Sequence, residues 1–269
     1  MSAGSFLLFV SLAAALVFFW PRWRQRRVLE EPFSASWLDT VHATLPFFPR
    51  MGDDERKQLL DLIRLFLAEK KFHGCNGQVI DDVVRVTIAA QACLLLLNRA
   101  TSVFPGTRHI LVYPEAFIRE GEFEGEDGVV SSMSEDLLGE SWQEGKVILS
   151  WDDVTYGADD FSDGENVVLH EFAHQLDSES GSQDGAPLLK HNDPAEWKAV
   201  MTAAYEALNE SADHDEETLL DPYGATDPAE FFAVATETFF ECAHEMALDH
   251  PALFNELKKF YCVDPRQWR

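Results

Sequence analysis

Two histidines four residues apart with a glutamate between them, His170-Glu171-Phe172-Ala173-His174, form the segment of this chain best suited to chemistry. On a helix, positions four apart lie one turn apart on one face, so both imidazoles can meet a single Zn2+ at about 2.0–2.1 Å. Glu171 projects about 100° around the axis from His170. A carboxylate there flanks the metal and can accept a proton from a water whose pKa the ion lowers toward ~7. Apolar Val168, Leu169, Phe172, Ala173 and Leu176 bury the rest of the helix and fix the histidines, and Asn166 or Asp163 can cap its start.

A catalytic zinc takes a third protein ligand and keeps one position open. The downstream candidates are Asp177, His191, Glu230, Glu237, Glu241 and His244. The longer H-E-x-x-H-x-x-G-x-x-H pattern is absent, because Asp177 stands where its glycine would be. A ligand three residues after His174 would strain the helix, so Asp177 suits better the role of orienting a histidine from behind. Glu230 opens an amphipathic helix in which Asp227 suits the N-cap, Pro228 the first turn and Glu230 a capping box. On spacing alone Glu230 and Glu237 are near equals as third ligand.

The elements that must position these groups follow from periodicity. Asp53 to Phe72 predicts a helix, with Leu59, Leu62, Ile63, Phe66 and Leu67 at helical spacing and acids in its first turn. Gly74 and Gly77 mark a turn. A second helix, capped by Asp81 or Asp82, runs to about Asn98 and is buried through Val83, Val86, Ala90, Cys93 and Leu97. Ile110–Tyr113 and Val147–Trp151 are β-like, and helical patterning returns at Asn166–Leu176, Glu196–Asn209, Pro228–Cys242 and Ala252–Phe260. Helices, then short strands, then helices again predict an α+β domain.

The formal net charge of −26 argues against contact with phosphate backbones, so no direct nucleic-acid binding is expected. Acidic runs at Glu120–Asp127 and Asp213–Glu217 read as solvated loops. Cys75, Cys93, Cys242 and Cys262 include no C-x-x-C pair, which suits a reducing compartment. Residues 2–20 carry no charge, close to the ~20 apolar residues that span a bilayer. Arg22, Arg24, Arg26 and Arg27 follow at once. The positive-inside rule then predicts a single-pass transmembrane anchor over residues 1–21 in a bacterial inner membrane, with the catalytic domain in the cytoplasm. Residues 22–50 read as a juxtamembrane connector, 51–105 as a helical subdomain and 106–269 as the metallopeptidase domain.

Several spaced blocks resemble one family: LVYPEAF at 111–117, ESWQEGKVILSWDDV at 140–154, GENVVLHEFAHQLD at 164–177 and DPYGATDPAEFFAVATETFF at 221–240. Together they are similar to the Mlc titration factor A family of bacterial zinc metallopeptidases, over about residues 40–265. The resemblance implies His170, His174 and Glu230 as zinc ligands and Glu171 as catalytic base, the gluzincin arrangement. It implies a zincin-like fold related to the protease domain of anthrax lethal factor, where a tyrosine seven residues before the third ligand assists catalysis. Tyr223 stands at that spacing before Glu230 and is expected to stabilise the oxyanion. In gluzincins a cleft-edge strand pairs with extended substrate, and Val147–Trp151 is the candidate.

The expected function is therefore zinc-dependent hydrolysis of a peptide or protein substrate, aminopeptidase-like by resemblance. The family also implies an alternative, sequestration of a transcriptional repressor (the glucose repressor Mlc) with proteolysis secondary. A third idea is a membrane-attached quality-control protease. The apparent anchor and the strong acidity depart from the family members that are soluble.

Overall fold

The computed structural model describes residues 23–99, 102–115, 145–214 and 216–268. Three short strands, β1 (Lys71–Gly74), β2 (His109–Tyr113) and β3 (Lys146–Ser150), form a parallel sheet in the order β1-β2-β3. On β3, Val147 and Leu149 are buried while Ile148 between them is exposed, the alternation of a strand covered on one face; on β2, Ile110, Leu111 and Val112 are all buried. The helices are α1 (Ala35–Thr44), α2 (Asp53–Glu69), α3 (Asp82–Leu94), α4 (Trp151–Asp159), α5 (Val167–Ser178), α6 (Pro194–Asp213), α7 (Pro228–Glu241), α8 (Ala243–Asp249) and α9 (Pro251–Tyr261), and α4 and α5 pack against β3.

Local chemistry sets most of these boundaries. Asp81 accepts from Val84 N at 2.9 Å to start α3, and Asp193 accepts from Ala195 N and Glu196 N to start α6. Ser150 closes β3 and caps α4 at once, accepting from Asp153 N at 3.3 Å. The aromatic rings of Phe66, Phe104 and Phe172 meet in the core, the last two with centroids 4.6 Å apart. This cluster ties α2 and the segment before β2 to the inner face of α5.

The structure departs from the sequence reading in several places. The helix expected to reach Phe72 stops at Glu69, because Lys70 turns inward and donates to Val103 O, Phe104 O and Thr107 O at 2.6, 2.7 and 2.7 Å. Phe72 then lies on β1. Val83 is half exposed rather than buried, while Val86, Ala90, Cys93 and Leu97 are fully buried. Within the expected connector, residues 23–30 are helical and α1 packs against α3.

The fold class and the membrane placement need correction. Helices dominate the architecture, and the sheet is small and wholly parallel among the described residues. Among those residues no helix is long and apolar enough to cross a membrane. The physical reason is plain in the longest, α6 at 20 residues, whose sequence carries Glu196, Lys198, Glu206, Glu210 and Asp213. Residues 1–21, on which the anchor expectation rested, lie outside the described residues. The expected α+β domain with a single-pass inner-membrane anchor gives way to a mainly helical domain on a small sheet.

Candidate metal centre

Asn166 opens α5, its Oδ1 accepting from Leu169 N at 3.0 Å. Val168, Leu169, Phe172, Ala173 and Leu176 are buried along the inner side. That burial fixes the rotation of the helix and turns His170 and His174 together to the other side, with Nε2 atoms 3.2 Å apart. Helix α7 is fixed at its start by Asp227, whose Oδ1 accepts from Ala229 N at 2.8 Å and Glu230 N at 3.0 Å. The cap sets Glu230 in the first turn. Its Oε2 lies 3.0 Å from His170 Nε2 and 3.4 Å from His174 Nε2.

One nitrogen from each histidine and one oxygen of Glu230 thus lie within 4.8 Å of one another. Two imidazoles and a carboxylate converging on one point could hold a metal ion, and their chemistry fits zinc. These groups interact strongly with one another. Burial works against charge on His170, yet its hydrogen bonds to Glu230 and Glu237 outweigh that and raise the imidazole to about 10. Glu230 is held well below the usual carboxylate range, first by His170 and then by His174.

Beside this cluster runs a cleft of about 400 Å3. Its walls include His170, Glu171, Tyr223, Asp221, Asp153 and Tyr156 and, among the described residues, no lysine or arginine. Glu171 is half-buried on α5. Tyr223 sits on a short 3-10 turn, Pro222–Ala225, held by Asp221 accepting from Tyr223 N at 2.7 Å. Its ring centroid is 6.1 Å from that of His170, and the side chain is half exposed. A larger hollow, about 750 Å3, is lined by residues such as Glu196, Glu256 and Lys259 and includes none of these groups.

The remaining sequence candidates part company. Glu237 does not reach the point where the three donors meet; its Oε1 lies 2.7 Å from His170 Nδ1, the far side of the ring. Glu241 is buried against Asn166 Nδ2 at 2.9 Å and Gly164 N at 3.1 Å. Asp177 orients no histidine: it is buried and accepts from Gly185 N at 2.8 Å, tying down the loop after α5. His191 and His244 are exposed and stand outside the cluster. Sequence reasoning missed that Asn166 also joins Gln91 Oε1 (2.7 Å) and the two buried glutamates. A usable signal existed in Glu230, Glu237 and Glu241, whose spacing places them on one face of a helix.

The family described as glucose-regulated metallo-peptidase M90 matches residues 20–262. The chain is 39% identical over 249 residues to slr2042, an uncharacterized protein of Synechocystis sp., covering 91% of this chain and 90% of that protein. It is 32% identical over 251 residues to Mlc titration factor A of Salmonella arizonae, covering 92% and 98%. The same name and identity recur in Salmonella schwarzengrund, with 92% of each chain covered.

Proposed function

The chain belongs to the glucose-regulated metallo-peptidase M90 family, and on that premise we propose that it is a zinc peptidase with His170, His174 and Glu230 as metal ligands and Glu171 as general base. The observation that carries this reading is the convergence of those three donor atoms at the edge of a cleft that Glu171 also lines. Zinc, when bound there, supplies Lewis acidity toward a peptide carbonyl and acidifies the attacking water. Glu171 takes the proton from that water and returns it to the leaving amine. Tyr223, exposed over the cleft near the His170 ring, donates its hydroxyl to the carbonyl oxygen as negative charge builds there. β3 lies at one edge of the described sheet, and extended substrate pairs with it through main-chain hydrogen bonds. Small aminopeptidase substrates are the first to try.

The test is a comparison of purified variants for bound metal and for hydrolysis of amino-acid anilides and short peptides. Glu171→Gln keeps its zinc and loses about 10²–10⁴-fold in turnover, whereas His170→Ala loses both. A Glu171→Gln protein with full zinc-dependent hydrolysis overturns the mechanism.

The Salmonella relatives carry the name Mlc titration factor A, which favours a second reading: capture of a transcriptional repressor protein, with hydrolysis secondary. On that reading His170→Ala still retains the repressor in a pull-down from the native host. Loss of capture together with zinc rejects a binding role independent of the metal.

A further inference from the structure

We infer that Glu237 is a positioning residue that holds His170 in the state able to bind metal, while Glu241 one turn later pins the start of the same helix. The inference rests on the metal-centre reading above and concerns groups that reading does not use. Glu237 and Glu241 follow Glu230 by seven and eleven positions on α7. At about 100° per residue these offsets return to within roughly 20° of Glu230 on either side. A single stripe of α7 therefore presents three carboxylates to α5.

Each oxygen of the two buried acids has a defined partner. Glu237 Oε1 lies 2.7 Å from His170 Nδ1, and its Oε2 accepts from Asn166 N at 2.5 Å. Glu241 Oε1 accepts from Asn166 Nδ2 at 2.9 Å, and its Oε2 accepts from Gly164 N at 3.1 Å. The partners thus come from the entry of α5 and from the outward nitrogen of its first histidine. Both carboxylates are almost wholly buried. Simple packing would be served more cheaply by apolar side chains, since buried acids carry a desolvation cost.

Asn166 N is a fixed donor to one oxygen of Glu237, and a carboxylate oxygen set against Nδ1 favours a proton on that nitrogen. With Nδ1 directed at Glu237, Nε2 is the nitrogen left facing His174 and Glu230, the one a metal would take. A carboxylate is needed for this, because glutamine cannot accept from both donors. If its oxygen stays on Asn166 N, its NH2 meets Nδ1 and favours the proton on Nε2, where a ligand must have none.

The experiment uses the full-length protein. Zinc affinity is measured by chelator competition, and the His170 ring is followed by 15N-resolved NMR with and without zinc. Wild type shows a downfield, slowly exchanging Nδ1 proton on His170 in both states. Glu237→Gln loses that proton and weakens zinc about 10–100-fold. Glu241→Gln lowers the melting temperature but keeps the proton and stays within threefold of wild-type zinc affinity. Glu237→Gln with zinc affinity within threefold of wild type overturns the inference, as does a wild-type His170 lacking that proton. If Glu237→Gln fails to fold, the wild-type spectrum alone decides. If wild type binds no zinc at all, the metallopeptidase reading fails, while the Nδ1 proton still reports whether Glu237 holds the ring.

Discussion

Replacing Gly185 by alanine should damage both the fold and the metal centre, through a contact remote from the histidines in sequence. Gly185 has φ +73°, and a Cβ there would fall 2.2 Å from Pro228 O and 2.8 Å from Pro228 C. The backbones would have to part from 2.2 Å toward the 3.0 Å below which Cβ contacts essentially never occur. Left-handed backbone costs a non-glycine residue about 1–2 kcal/mol. Parting the loop from α7 also strains the bond from Gly185 N to Asp177 Oδ2, and losing a hydrogen bond to a buried carboxylate costs about 1.5–3 kcal/mol. The sum is roughly 3–5 kcal/mol, or about 6–20 °C in Tm for a chain of this size. Pro228 is two residues from Glu230, so the shift reaches a proposed ligand, and zinc affinity should fall about tenfold or more. Gly181 supplies the control: its φ is +101°, but a Cβ there meets nothing within 4 Å. Gly181→Ala therefore carries only the backbone penalty, roughly 1–2 kcal/mol. Urea unfolding and zinc competition on both variants make the test. A Gly185→Ala protein as stable as Gly181→Ala, with unchanged zinc affinity, refutes the claim that close approach of this loop to Pro228 bears on the metal centre.

Two further perturbations probe the scaffold. Burial pushes the Lys70 ammonium from 10.5 down to about 8, so between those pH values the unfolded chain binds more protons and stability rises with pH. Lys70→Met should abolish that rise in denaturant midpoints across pH 8–10.5, and at neutral pH cost about 2–4 kcal/mol by stranding three carbonyls. Asn166→Ala removes the α5 cap and a donor to Glu241, for an expected loss of about 2–4 kcal/mol in thermal or chemical unfolding. Asn166→Asp should be worse than alanine, because it sets a third buried acidic side chain beside Glu237 and Glu241.

What could be read from the sequence was whatever local geometry determines. The pairing of His170 with His174 needs only helical spacing and an apolar inner face; the start of α7 needed only Asp227 as cap, and that of α5 narrows to Asn166 or Asp163, of which Asn166 is the cap. The choice between Glu230 and Glu237 was different. Both share a face of α7, and which meets Nε2 and which meets Nδ1 depends on how α7 slides along α5, a tertiary quantity. Asp177 was misread for a similar reason: its partner, Gly185 N, comes from a loop whose path depends on contact with Pro228. The end of α2 at Glu69 was hidden because Lys70, a good helix former, is claimed by three carbonyls that arrive from residues 103–107. The anchor expectation came from residues outside the described part of the chain, and nothing among the described helices carries it forward.

The stripe on α7 also bears on which of the two proposed roles the architecture serves. Glu230 is half-buried, and Glu237 and Glu241 are buried within two turns of it. Burial pushes the carboxyls of Glu237 and Glu241 above their usual range, Glu241 to about 9. Side chains under such a penalty destabilise the chain unless something else needs them there. A surface that only captured a repressor would need none of the three, since its demands fall on exposed groups. A metal centre of the kind proposed would use Glu230 as a ligand and Glu237 to hold a ligand ring, with Glu241 keeping the helix entry in register. Zinc should then stabilise the fold as RT ln(1 + [Zn]/Kd). That gain should be largest in wild type, reduced in Glu237→Gln and abolished in Glu230→Gln. If metal raises the Tm of all three alike, the carboxylate stripe is mere packing and the case for hydrolysis loses its structural support.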